Sequence, residues 1–264
     1  MNFPQRIICL TEETVETLYL LGAQDRIVGI TGYAVRPPQA RKEKPRVAAF
    51  TSAKIEQIIE LQPDLVLAFS DLQADIAAEL IRAGLEVYVF NQRSVSGILQ
   101  MIRTLGRLVD ARQKAEELVT SFEQKLDDLS QLTGQTDKRP VVYFEEWYDP
   151  IISGIGWVSE LIQIAGGVDC FADLSVYPDA KRRIIESPQS VMDRAPDIII
   201  GSWCGRRFHP QQVAEREGWQ LIPAVVNKRI YEIKSTNILQ PGPAALTDGL
   251  DQLSQIIEDW RNNQ

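Results

Sequence analysis

The run from Ser94 to Leu129 contains no proline, and its apolar residues recur at helical spacing: Ile98, Ile102, Leu105 and Val109, then Leu118, Val119, Phe122, Leu126 and Leu129 after a polar patch. One apolar face and one charged face over that length predict a single amphipathic helix. At 1.5 Å rise per residue it would extend roughly 50 Å, longer than a small domain is wide, with Gly97 and Gly106 as its interior weak points. A helix of that length is either packed within one large domain or a spine joining two lobes. The chain on either side decides for the spine, because strands and helices alternate both before it and after it.

Before it, RIICL (Arg6–Leu10) reads as a buried strand, and Thr11 then caps a helix whose first turn carries Glu12 and Glu13, ending at Gly22. Strands follow at Arg26–Ile30, Val47–Phe50, Leu65–Phe69 and Val87–Phe90, with helices from about Lys54 to Leu61 and Asp71 to Ala83. After it, beyond a polar linker at Gly134–Arg139, strands are expected at Val141–Phe144, Ile198–Gly201 and Arg229–Ile233, and helices at Trp157–Ala165 and Gly249–Trp260. Strands separated by helices imply parallel pairing. The expectation is an α/β protein of two Rossmann-like lobes, residues 1–93 and 132–264, bridged by one long helix over 94–131. Open parallel sheets take ligands outside the carboxyl ends of their strands, so the ligand cleft is expected between the lobes, in the loops that follow these runs.

Charge narrows the ligand. The net charge of −8 is spread along the chain, and the longest basic stretches are Lys42–Arg46 and Lys181–Arg183, which argues against nucleic acid and anionic membranes as partners. No run of eighteen apolar residues exists, so membrane insertion is not expected. MNFPQRIICL does not read as a secretion signal. If Met1 is the native start, the expected location is cytoplasmic; the alternative is periplasmic with the signal removed. Cys9, Cys170 and Cys204 suggest neither a disulfide framework nor a zinc ribbon.

The order of strand, TEE-helix, DRIVGIT, a loop with Pro37-Pro38, then VAAFTSAKIEQIIELQPDLVLAF resembles the helix-bridged, two-lobed binding proteins of ABC importers that take up cobalamin, haem and ferric siderophores. With YFEEWYDPIISGIGWVSELI, GSWCG, EGWQLIPAV and ILQPGPAAL, the resemblance is strongest to cobalamin-binding members of a subgroup lacking secretion signals. It implies binding without catalysis, a corrinoid as ligand (haem or ferric siderophore as the alternative), no covalent cofactor, and an importer permease as partner. The first-lobe aromatics of the cobalamin binders match Tyr33 and Phe50. A tyrosine usual before Pro-Pro is Arg36, and the acid-and-arginine pair of the last loop is replaced by Asn237–Gln240. Where the family carries two docking glutamates, this chain has Ala74 and Pro188-Gln189.

The residues themselves add aromatic faces at strand ends: Tyr33, Phe50, Trp147, Tyr148, Trp157 and Trp203, suited either to stacking a large planar ring or to core packing. Of Glu145 and Glu146, adjacent on a strand, only one can face a cleft, so they form no carboxylate dyad; Glu145 is taken as the ligand-facing one. Arg183 is expected either to reach a ligand's acidic group or to coat the surface, and Gln240 stands in the last loop. Metal capture is not expected with His209 as the sole histidine, yet Cys204 or His209 offers an axial donor to a corrinoid cobalt or haem iron. No nucleophile with an adjacent base and no phosphate-cradling loop appears, so an enzyme is not expected. A cytoplasmic corrinoid-handling enzyme or chaperone using Glu145 or Glu146 and Cys204 is the reading from another class.

Overall fold

The computed structural model describes residues 3–134 and 138–263. The chain divides into two compact units, residues 1–92 with 96–121, and residues 93–95 with 122–264. In the first unit the strands β1 (Ile7–Cys9), β2 (Ile27–Thr31), β3 (Arg46–Ala48), β4 (Leu65–Phe69) and β5 (Val87–Phe90) pair in parallel in the order β3-β2-β1-β4-β5. Ile7, Ile8 and Cys9 of the central strand and Val66, Leu67 and Ala68 beside it are wholly buried, as a strand covered by helices on both faces must be. Each such aliphatic side chain contributes about 1.5–3 kcal/mol through burial. The order reverses between β1 and β4, which makes their carboxyl ends the switch point of the sheet.

The second unit carries β6 (Val141–Tyr148), β7 (Ile151–Ser153), β8 (Val168–Asp169), β9 (Ile198–Gly201) and β10 (Ile230–Glu232), in the order β10-β9-β6-β7 with β8 also beside β6. Here parallel pairing is interrupted, because β7 turns back antiparallel on β6 through a tight hairpin. Strand β6 accordingly runs to Tyr148, past the Phe144 at which the apolar run stops. Its core gathers Tyr143, Phe171, Trp203, Phe208 and Trp219 with aliphatic residues. All the tryptophans (Trp147, Trp157, Trp203, Trp219 and Trp260) belong to this unit.

The single helix expected over 94–129 is two: Val95–Leu108 and Arg112–Gly134. Asp110 sits in the left-handed region at φ 55°, and the Ala111 N–H donates back to the Gly106 carbonyl at 2.7 Å. This is a Schellman stop with an aspartate in the position glycine usually fills. Packing reinforces it, since a Cβ added at Gly106 would lie 2.3 Å from the Ala115 Cβ. The two helices therefore cross on small residues, and the polar patch in the sequence marks the break. The expected linker over 134–139 lies partly outside the described residues. Among the described residues no helix is long and apolar enough to cross a membrane.

Candidate functional site

In the first unit the carboxyl-end loops of β2, β3 and β4 each present an apolar side chain to solvent: Tyr33 is 52% exposed, Phe50 38% and Leu72 57%. Their backbones are fixed. The Gly32 N–H donates to the Ala48 carbonyl at 2.7 Å, Arg41 donates to the Gly32 carbonyl, and the Tyr33 N–H reaches the Thr31 hydroxyl at 3.3 Å. Nothing in the sequence singles out Leu72, which stands two residues past Ser70, a residue whose backbone turns at φ 58°. Behind these loops, at the end of β1, Glu13 is buried at the head of helix Glu12–Leu20. Thr11, expected to cap that helix, instead donates its hydroxyl to the Glu13 carboxylate at 2.6 Å. Desolvation outweighs the Thr11 hydrogen bond here and pushes Glu13 up to about 7, while burial and the charges of Glu13 and Glu16 push Glu12 up to about 8. Glu16 pairs with Arg36 at 2.8 Å.

In the second unit the end of β6 presents Trp147 and Tyr148, both half-buried. The Trp147 indole donates to the Asp149 carbonyl at 2.9 Å, and the Tyr148 ring lies 4.7 Å from that of Trp203. Arg206 also packs on Tyr148, its guanidinium 4.8 Å from the ring centre and in contact with the hydroxyl. Cys204 and His209 are exposed on the same loop, His209 with its ring 6.3 Å from Trp203. Gln240 is half-buried in the last loop.

The remaining expected ligand contacts are spent inside the unit. Trp203 is buried edge-on against Phe208, and its indole donates to Glu145 at 3.0 Å. The loop turns inward because Gly201 has no side chain: a Cβ there would overlap the Phe208 ring at 1.8 Å. Trp157 is buried, with its indole on the Ile238 carbonyl at 2.8 Å. Glu145 is wholly buried and accepts from both arms of Arg216 at 2.5 and 2.9 Å and from the Tyr143 hydroxyl at 2.8 Å. Burial opposes the Arg216 charge, but the hydrogen bonds and charge of Glu145 outweigh it and hold the guanidinium above its ordinary value. Burial, then the same carboxylate, pushes Tyr143 well up. Glu146, where the register of β6 on β7 shifts between Glu145 and Trp147, takes Arg183 at 2.6 Å, and Arg183 also donates to the Ser153 carbonyl. Trp157, Arg183, Trp203 and Glu145 are thus buried and hydrogen-bonded within the second unit. Arg216 was missed, since nothing in EREGW marks its arginine as the partner of a glutamate so far back in the chain.

Two α/β units with aromatic side chains at their strand ends are a geometry suited to binding solutes. The comparisons assign the family. Residues 7–236 match the periplasmic binding protein family model, and the chain belongs to that family. It is 28% identical to the vitamin B12-binding protein of Vibrio cholerae over 266 residues, covering 97% of this chain and 90% of that one. An uncharacterized ABC transporter substrate-binding lipoprotein of Bacillus subtilis, YvrC, is 27% identical over 96% of this chain and 80% of its own length. Among solved structures, the periplasmic vitamin B12-binding protein BtuF of Vibrio cholerae superposes with a TM-score of 0.77 at 25% identity, covering 98% of both chains. The apo periplasmic heme-binding protein RhuT from Roseiflexus sp. RS-1 shares the fold at TM-score 0.80 and 22% identity over 96% of this chain and 99% of that one. The family and the cobalamin-binder resemblance expected from the sequence are thus upheld.

Proposed function

We propose that this protein binds a large cyclic ligand of the corrinoid class and holds it on the aromatic residues at the strand ends. The observation that carries the reading is the trio Tyr33, Phe50 and Leu72, apolar side chains exposed on fixed backbone at three strand ends of one sheet. Such a surface suits a broad, flat, partly apolar ring, because aromatic contacts supply area at small entropy cost. Within the second unit Trp147 and Tyr148 are aromatic faces of the same kind, and Arg206 over Tyr148 favours a ligand with hydrogen-bond acceptors at its rim. The likeness to proteins named for vitamin B12 across nearly the whole chain supports a corrinoid over other rings. Exposed Cys204 and His209 keep haem as the second reading, as donors to its iron.

The role is binding, with delivery to an importer as its natural sequel. Ala74 opens helix Ala74–Arg82 and Gln189 opens helix Gln189–Arg194, so delivery would not use glutamates at those two positions. The test is titration with cyanocobalamin, cobinamide and hemin, read by the visible spectrum and by heat. Saturation by a corrinoid at roughly micromolar concentration is expected. Hemin binding alone would select the second reading, and no binding of any of the three would refute the ring-ligand assignment.

A further inference from the structure

We infer that Gln73 is a positioning residue for ligand binding: it closes the switch-point crevice of the first sheet and sets Phe50 at the ligand face. The inference rests on the proposed function for its ligand and on geometry for its mechanism. Gln73 follows β4 and is wholly buried. Its Oε1 accepts from the Phe69 N–H at 2.9 Å, and its Nε2 donates to the Leu10 carbonyl at 3.3 Å and the Phe50 carbonyl at 2.8 Å. One end of the amide meets an N–H and the other meets two carbonyls, so its orientation is determined by its partners. These are the carboxyl ends of β4, of β1, and of the loop after β3, which is not a neighbour of either strand.

Two consequences follow. In an open α/β sheet the crevice beyond the carboxyl ends of the strands at the switch point is where ligands usually bind. Here a side chain occupies it and satisfies the backbone groups that would otherwise bind there. A ligand must then lie across the loop tips, which selects for breadth over depth. The second consequence concerns Phe50. Its loop is held by the Ala49 N–H on the Ser52 carbonyl at 2.8 Å and the Lys54 N–H on the Val47 carbonyl at 2.8 Å, but the Phe50 carbonyl itself is anchored from outside the loop by Gln73. Without that anchor the loop keeps its base and loses the aim of its aromatic tip.

The test compares Gln73→Glu, which keeps the acceptor and loses both donors, with Gln73→Met, which keeps the shape and loses all three bonds. The protein is labelled with 4-fluorophenylalanine, and the Phe50 resonance is assigned by its loss in Phe50→Leu. In either folded variant the Phe50 signal is expected to shift or broaden, while those of Phe144, Phe171 and Phe208 in the second unit stay in place. Affinity for whichever of cyanocobalamin or hemin the wild type binds is expected to fall about 10-fold or more, with no further loss when Gln73→Met is added to Phe50→Ala, since both act through one contact. An unmoved Phe50 signal, or losses that simply add, would overturn the inference. Should the wild type bind neither probe, the proposed ligand class falls, and the fluorine spectrum alone decides the role of Gln73.

Discussion

Replacing Glu13 by glutamine should make the protein more stable at alkaline pH and slightly less stable at acid pH. Glu13 is buried at the end of β1 with the Thr11 hydroxyl as its donor, and desolvation raises its carboxyl from the ordinary 4.5 to about 7. A raised carboxyl pKa means that the folded state holds the proton more tightly than the unfolded one. The stability this gives is complete below the unfolded value of 4.5, is lost as pH climbs to about 7, and stays lost above that. The full span corresponds to about 3 kcal/mol, of which about 2.5 kcal/mol falls between about pH 5 and about pH 8. Its neighbours Glu12 and Glu16 add like charge, and Cys9 and Lys44 stand near. Glutamine accepts the Thr11 hydroxyl equally well and never ionises, at a cost of about 1 kcal/mol for an amide N–H left without an acceptor. Urea unfolding followed by far-ultraviolet circular dichroism at the two pH values measures the difference directly. Wild type and Glu13→Gln should differ by about 2.5 kcal/mol more at the higher pH than at the lower. A difference that does not change with pH would refute the assignment of an elevated carboxyl to Glu13.

Arg216→Met should cost about 3–5 kcal/mol in chemical unfolding, because it leaves the Glu145 carboxylate buried without its countercharge. Adding Glu145→Gln to it should recover most of that loss, and a double variant as unstable as the single would contradict the pairing. Gly106→Ala should lower the thermal midpoint, by about 1–3 kcal/mol in stability, although alanine favours helix, because its methyl would meet Ala115 at 2.3 Å. The compensating Ala115→Gly should restore the midpoint; stabilisation by the single change would refute the close crossing.

Much of the fold could be read from the chain because local signals and burial agreed. LVLAF is apolar at every position and lies between two parallel strands, so its limits, Leu65–Phe69, match the run. Strand β6 was read short because its second half, EEWY, is polar by composition: both acids are neutralised by arginines that fold back from far along the chain. Asp110 hid the helix break because a left-handed stop is usually announced by glycine. Exposure at the candidate residues was legible in part. Tyr33 stands exposed as its glycine- and polar-rich surroundings suggested and Phe50 is exposed past the end of its strand, but the same kind of surroundings leave Trp203 buried. Glycines around an aromatic can open a loop, or, as Gly201 does for Phe208, let it close upon itself.

The confinement of all tryptophans to the second unit has an optical consequence. Indole emission is a built-in reporter of residues 122–264, and no indole belongs to the unit whose sheet carries Tyr33, Phe50 and Gln73. A tetrapyrrole that absorbs in the near ultraviolet would quench that light the more strongly the nearer it lies to Trp147 and Trp203. One chromophore class therefore reads one half of the chain without any label, and comparing its unfolding curve with circular dichroism reveals whether the two units melt as one.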